Sequence, residues 1–170
     1  MMDRIGIVGY GIVGRSVHHV FADFCKQVTI YDKFQDTDTL EDTVLNSDVV
    51  FVCVPTPCDF AAQDISLEIM DEVLAQIAAL EPGERIIAIK STVVPGTTAG
   101  YQQRHPDLCL AMVPEFLREA TYLQDAESPD RVAVGSNRPE AAERLCALYR
   151  RRFPYIPVIP MNTMAADLLK

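Results

Sequence analysis

Residues 4–14 read Arg4-Ile5-Gly6-Ile7-Val8-Gly9-Tyr10-Gly11-Ile12-Val13-Gly14, an apolar run that breaks into glycines spaced G-x-G-x-x-G. The run Arg4–Gly9 predicts a short buried strand. Gly11–Phe24 carries Val13, Val17, Val20, Phe21 and Phe24 at helical spacing. Each glycine between strand and helix has a physical purpose: Gly9 permits the tight turn, Gly11 lets backbone approach a pyrophosphate, and Gly14 lets helix and strand pack closely. The helix start offers unpaired N–H groups and the positive end of its dipole to phosphates. The stretch therefore predicts the opening unit of a dinucleotide-binding domain, with Gly9, Tyr10, Gly11, Ile12, Val13 and Gly14 against the cofactor.

Outward from this unit, Gln27–Tyr31 predicts a second strand that ends at Asp32. A carboxylate roughly 20 residues past the first glycine accepts hydrogen bonds from ribose hydroxyls. It repels a 2′-phosphate, so NAD is favoured over NADP, with the adjacent Lys33 softening that preference. A short helix fits near Leu40–Leu45, and Asp48–Val54 reads as a central strand, almost wholly apolar. Asp64 or Ser66 can cap a helix that carries Met70, Val73, Leu74 and Ile77 on one face and ends at Pro82-Gly83. Strand patterns recur at Arg85–Lys90, Leu108–Val113, Arg131–Gly135 and Tyr155–Ile159, with helices at Thr97–Arg104 and Pro139–Arg152 and a polar loop after Val113. Strands separated by helices imply right-handed crossovers and a doubly wound, mostly parallel α/β sheet of Rossmann type in a single domain.

Composition narrows the class. The chain has 170 residues, 49% of them hydrophobic and 23% charged, enough for one domain with a full core. A net charge of -9 disfavours nonspecific nucleic-acid or anionic-membrane binding. No run approaches the roughly 20 apolar residues of a membrane span, and Met1–Gly9 runs straight into a strand pattern without the apolar core of a signal peptide. Five dispersed cysteines without a Cys-x-x-Cys pair read as reduced thiols of a cytoplasmic protein. His18, His19 and His105 show no metal-ligand spacing, so no metal is expected. Arg150-Arg151-Arg152 ends a helix, where the dipole favours positive charge.

Three further strand-end loops go beyond the needs of a dinucleotide fold: Val52-Cys53-Val54-Pro55-Thr56-Pro57, Lys90-Ser91-Thr92-Val93-Val94-Pro95-Gly96-Thr97 and Val113-Pro114-Glu115-Phe116-Leu117-Arg118-Glu119. With Pro129-Asp130-Arg131-Val132-Ala133-Val134-Gly135, and in this order, they resemble the UDP-glucose/GDP-mannose 6-dehydrogenase family along nearly the whole chain. The resemblance implies NAD-dependent oxidation of a sugar-nucleotide C6 alcohol to a carboxylate, two NAD per turnover, through a cysteine thioester. It places Val54, Pro55, Thr56, Ser91 and Thr92 along the cofactor, with Thr92 also near the reacting water. Glu115 is implied as the acid/base carboxylate and Glu119 as a second carboxylate near nicotinamide and water; Phe116, Leu117 and Arg118 lie along the substrate beside Glu115. A carboxylate in a crowded loop suits acid/base work because burial raises its pKa. Against this stand simpler readings: Glu115 and Glu119, four apart, as a solvated helix face; Thr92 as a turn cap; Lys90 paired structurally with a nearby carboxylate.

Asn162 can cap a helix with Met161, Met164, Ala165, Leu168 and Leu169 on one side. Ala166-Asp167-Leu168-Leu169-Lys170 resembles the start of the helix linking the family's two halves, with Lys170 matching its oxyanion-stabilising lysine and Asp167 replacing the usual glutamate. Residues 1–160 are thus read as an NAD-binding domain and 161–170 as the start of a linker to a substrate domain outside the chain. The family's nucleophilic cysteine belongs to that other half. The segment between Asp32 and Asp48 is shorter than the family's, and Cys58 reads as an ordinary loop thiol. A homodimer through the apolar side of the last helix is an open possibility. Two alternatives remain: another β-hydroxyacid-type NAD dehydrogenase, or a non-catalytic nucleotide-binding module.

Overall fold

The glycine-flanked run opens a βαβ unit in the computed structural model, which describes residues 3–59 and 64–169. Strand β1 (Arg4–Val8) leads through helix α1 (Ile12–Phe21) to β2 (Gln27–Tyr31), parallel to β1. The chain then passes α2 (Leu40–Leu45) and pairs β3 (Val49–Val52) with the other edge of β1. This reversal puts a switch point between β1 and β3, and open α/β sheets take ligands in the crevice at such a point. A small antiparallel hairpin, β4 (Cys58–Asp59) and β5 (Asp64–Ile65), precedes α3 (Glu68–Ala79). Strand β6 (Ile86–Ile89), α4 (Thr97–Arg104) and β7 (Cys109–Met112) extend the parallel array. A 3-10 turn (Glu119–Thr121), α5 (Tyr122–Glu127), β8 (Val132–Gly135), α6 (Pro139–Arg152), β9 (Val158–Met161) and α7 (Thr163–Leu168) complete the described chain. The main sheet runs β2-β1-β3-β6-β7-β8-β9. It is a doubly wound, Rossmann-type α/β fold.

Both faces of the sheet are covered, so β3, β6 and β7 are buried at every position. Strand alternation divides the core. Phe51 points toward α1 and α6, where it stacks on Phe21 at 5.7 Å and meets the edge of Tyr149 at 6.3 Å. Val50 and Val52 point the other way, into a cluster with Met70, Leu74 and Ile77 of α3. Each fully buried side chain of this size contributes about 1.5–3 kcal/mol relative to exposure. Local signals fix the helix ends: Thr39 caps α2 by accepting from the Asp42 N–H at 3.0 Å, and Pro139 occupies the first turn of α6. The arginines of α6 face its negative end, and Arg152 Nε also donates to the Val20 carbonyl at 2.7 Å.

Four features depart from the sequence expectation. Strand β8 runs antiparallel to β7, joined by the single pair Met112 and Gly135, while β9 is parallel to β8. The expected polar loop after β7 holds the 3-10 turn and α5, of which only Ala126 is buried. The N-cap of α3 lies past the positions read from the sequence. The Ser66 N–H donates to the Pro57 carbonyl at 2.8 Å, and Leu67 stands at the N-cap. The last strand begins at Val158 rather than Tyr155, because residues 153–156 turn on a bond from the Ile156 N–H to the Phe153 carbonyl.

Candidate functional site

At the mouth of the β1/β3 crevice the glycines meet three different environments. Gly9 has φ +94°, and a Cβ there would sit 2.7 Å from the Cys53 carbonyl oxygen. Gly14 packs against Gly9 so closely that a Cβ would lie 2.0 Å from the Gly9 oxygen. Gly11 differs: a Cβ there would meet nothing within 4 Å. The protein itself does not require glycine at position 11; the space in front of it is open. Gly11 is also the N-cap of α1, with no side-chain cap and no acidic residue in the first turn. The first N–H groups of α1 therefore face this open space without an acceptor from a capping side chain, unlike those of α2 and α7, which Thr39 and Asn162 cap. Ile12 is exposed and Val13 half-buried beside it.

Asp32 stands across the mouth. Its Oδ2 accepts from the Tyr10 N–H at 2.7 Å and its Oδ1 from the Phe34 N–H at 2.9 Å. Burial pushes this carboxyl up, but those two N–H groups, Gln35 and the Arg15 charge together hold it below the ordinary aspartate range. It is ionised at neutral pH. Arg15 lies over the Tyr10 ring at 4.6 Å and donates to Gln35, whose amide donates to the Tyr10 carbonyl. Lys33 turns away to α3, where its Nζ lies 3.2 Å from Glu72.

The strand-end loops are tied to one another. Ser91 is buried, and its Oγ donates to the Val54 carbonyl at 2.7 Å. The Thr56 hydroxyl donates to the Thr92 carbonyl at 2.7 Å, with Pro55 and Thr92 exposed beside it. Glu115 is half-buried in an irregular loop, and its Oε2 accepts from the Leu117 N–H at 2.6 Å. Glu119 is exposed and opens the 3-10 turn. The two carboxylates therefore do not share a helix face. Phe116 lies under the Arg131 guanidinium at 4.4 Å, and Leu117 is half-buried.

Two groups in this region carry more than the sequence disclosed. Asp125 on α5 takes the Arg118 side chain through both oxygens, at 2.6 and 3.1 Å, and accepts the Arg118 N–H and the Thr121 hydroxyl. The Arg118 guanidinium holds its carboxyl far below the usual range. Lys90 finds no carboxylate partner among the described residues. Its Nζ donates to the Val113 carbonyl at 3.2 Å and lies 5.9 Å from the Phe51 ring centre. Burial pushes its pKa down to about 8. No sequence pattern encodes either pairing, because each is made across the fold.

Asp167 is 1% exposed and closes the far side of the Thr92 loop. Its Oδ2 accepts from the Gly96 and Thr98 N–H groups at 3.0 and 3.1 Å, and its Oδ1 from the Thr98 hydroxyl at 2.6 Å. The α7 carboxylate thus caps α4. Lys170 lies outside the described residues. Among the described residues no group of three histidine, cysteine, aspartate or glutamate side chains is placed to hold a metal ion, and no helix is long and apolar enough to cross a membrane.

Residues 32–153 match the UDP-glucose/GDP-mannose dehydrogenase family, NAD binding domain. A UDP-glucose 6-dehydrogenase of Haloferax volcanii is 30% identical over 148 residues, covering 76% of this chain and 34% of its own length. That of Rattus norvegicus is 31% identical over 147 residues, covering 77% of this chain and 30% of its own. Among solved structures, a UDP-glucose dehydrogenase of Pyrobaculum islandicum superposes with TM-score 0.88 at 23% identity over 99% of this chain and 48% of the other. A GDP-mannose dehydrogenase from Pseudomonas aeruginosa gives 0.81 at 22% identity over 98% and 48%. The chain spans about a third of the length of these curated relatives and about half of the solved chains.

Proposed function

Since this chain belongs to the UDP-glucose/GDP-mannose dehydrogenase family and carries its NAD-binding domain, we propose that it is the cofactor half of a nucleotide-sugar 6-dehydrogenase. The observation that carries this reading is the open, uncapped start of α1 beside Gly11, with the ionised Asp32 across the mouth. An uncapped helix start suits a pyrophosphate, and a carboxylate suits ribose hydroxyls. Lys33, held by Glu72, leaves no lysine beside Asp32 to welcome a 2′-phosphate, so the site prefers NAD.

When bound, NAD supplies the hydride acceptor, and taking a primary alcohol to a carboxylate uses two such acceptors. The chain's own residues do the rest of what this half contributes. Gly9, Tyr10, Gly11, Ile12, Val13 and Gly14 hold the pyrophosphate, Asp32 takes the adenosine ribose while Lys33 stays on Glu72, and Val54, Pro55, Thr56 and Ser91 line the groove. Thr92 and Glu119 orient the hydrolytic water. Glu115 exchanges protons with the C6 oxygen, while Phe116, Leu117 and Arg118 lie along the sugar nucleotide. Lys170 offsets negative charge on that oxygen. The nucleophilic cysteine comes from a segment outside these 170 residues. The apolar side of α7, with Met164 and Leu168 exposed, offers a homodimer contact.

Calorimetric titration of the purified chain with NAD, NADP and UDP-glucose tests this. NAD should bind at least tenfold tighter than NADP, and Gly11→Val should abolish binding by filling the open space. No dinucleotide binding at millimolar concentration would overturn the reading. Conversion of UDP-glucose to the uronic acid by this chain alone would overturn its division of labour.

A further inference from the structure

A cavity of about 410 Å³ lies at the carboxyl end of the sheet on the α1 side, between α1 and α6 and beneath the loop that leaves β7. That size is within the range of small-molecule sites. Val17, Val20, Phe21, Val132, Tyr149 and Phe153 form its apolar wall. Lys90 also lines it. The side chain follows β6 onto the same face as Phe51 and is 7% exposed.

An ammonium has three donors. Here it has one acceptor, the Val113 carbonyl, and no carboxylate partner among the described residues. Burying a charge without a full set of partners is costly, so a group that supplies acceptors at this point gains the energy the protein leaves unrealised. The Tyr149 hydroxyl, on the same wall, has no hydrogen-bond partner among the described residues either. The other cations at the rim are occupied: Arg118 by Asp125, and Arg131 by the Phe116 ring. Glu115, Asp125 and Asp130 also line the rim, so three carboxylates balance Lys90, Arg118 and Arg131. This balance disfavours a multiply charged anion such as a phosphate dianion, and Lys90, whose acceptor is a carbonyl and not a carboxylate, matches a single negative charge.

We propose that this cavity binds a small monocarboxylate carried on an apolar ring, with its charge set against Lys90 and its ring against the α1 and α6 side chains. The site shares the 114–118 loop with the sugar-nucleotide face but does not rest on the NAD reading. It is separate from the glycine crevice, so both can be filled at once.

Benzoate, benzyl alcohol and inorganic phosphate serve as probes, titrated calorimetrically into the 170-residue chain with and without saturating NAD. Benzoate should bind at least tenfold tighter than benzyl alcohol or phosphate, with NAD leaving its affinity within twofold. Lys90→Met should lower benzoate affinity at least tenfold and leave benzyl alcohol unchanged, with far-UV circular dichroism and NAD affinity reporting an intact fold. Should Lys90→Met not fold, Ala126→Leu at the buried position of α5 decides, because it narrows the cavity and should weaken benzoate and benzyl alcohol together. Benzoate binding no tighter than benzyl alcohol, displacement of benzoate by NAD, or full benzoate affinity in a folded Lys90→Met or Ala126→Leu protein overturns the proposal.

Discussion

Lys90 shows how one buried residue makes stability depend on pH. Its pKa falls from the ordinary 10.5 to about 8 because burial penalises the charged form. Between those values the folded chain has shed a proton that the unfolded chain keeps, so stability rises with pH across that window. The full rise is about 3 kcal/mol. Cys53, pushed up to about 12 by burial, contributes with the opposite sign above pH 9. The clean measurement is therefore the difference between wild type and Lys90→Met in urea melts at pH 7.5 and 10, where the wild type should gain on the variant. Asp32 belongs to the same scale. Replacing it with alanine should weaken NAD about tenfold, the worth of hydrogen bonds to a charged acceptor, and raise NADP relative to NAD in the same titrations. Neither residue could have been read fully beforehand. The interval from Gly9 marks Asp32, but the Val113 carbonyl that meets Lys90 is distant in sequence and close only in the fold.

Elements with strong internal signals were legible to the residue. The limits of β2, α2, α4 and α6 match the stretches read from the sequence, with Pro139 marking the start of α6. Short α5 was not, since Tyr122–Glu127 buries only Ala126 and shows no apolar stripe. Its place is fixed by packing on α1, by the His19–Glu127 bond and by Asp125 gripping Arg118. Removing that grip with Asp125→Ala should raise amide hydrogen exchange across residues 115–121 while leaving β3 and β6 protected, and a uniform rise would contradict this. Helix α7 depends on tertiary bonds in the same way. Asp167→Ala leaves two N–H groups and a hydroxyl without their acceptor, and one such buried loss costs about 1–3 kcal/mol. A urea melt should show at least that loss, and Asp167→Asn should recover part of it.

Over the whole molecule, the reading of a doubly wound sheet held because both faces of β3, β6 and β7 are apolar, as two covering layers demand. Strand direction after β7 stayed hidden. Val132-Ala133-Val134-Gly135 is buried throughout and would look the same in either orientation. Two larger-scale expectations follow. In native-state hydrogen exchange, β8 should open at lower free energy than β6, because one pair joins it to β7 while β6 is laddered on both sides. Light scattering should report a dimer that Leu168→Lys converts to monomer, and an unchanged mass would exclude α7 as the contact.

The reversed strand also matters for how the molecule could diversify. Because β8 is inverted, its leading end arrives at the same rim where β7 delivers its trailing end, and Asp130 and Arg131 stand beside Phe116 and Arg118. Residues 128–131 thus border the cavity without belonging to any loop that grips the dinucleotide. Randomising those positions alone offers a route to new ligand preferences with NAD binding unchanged, with selectivity and cofactor use inherited as separate modules.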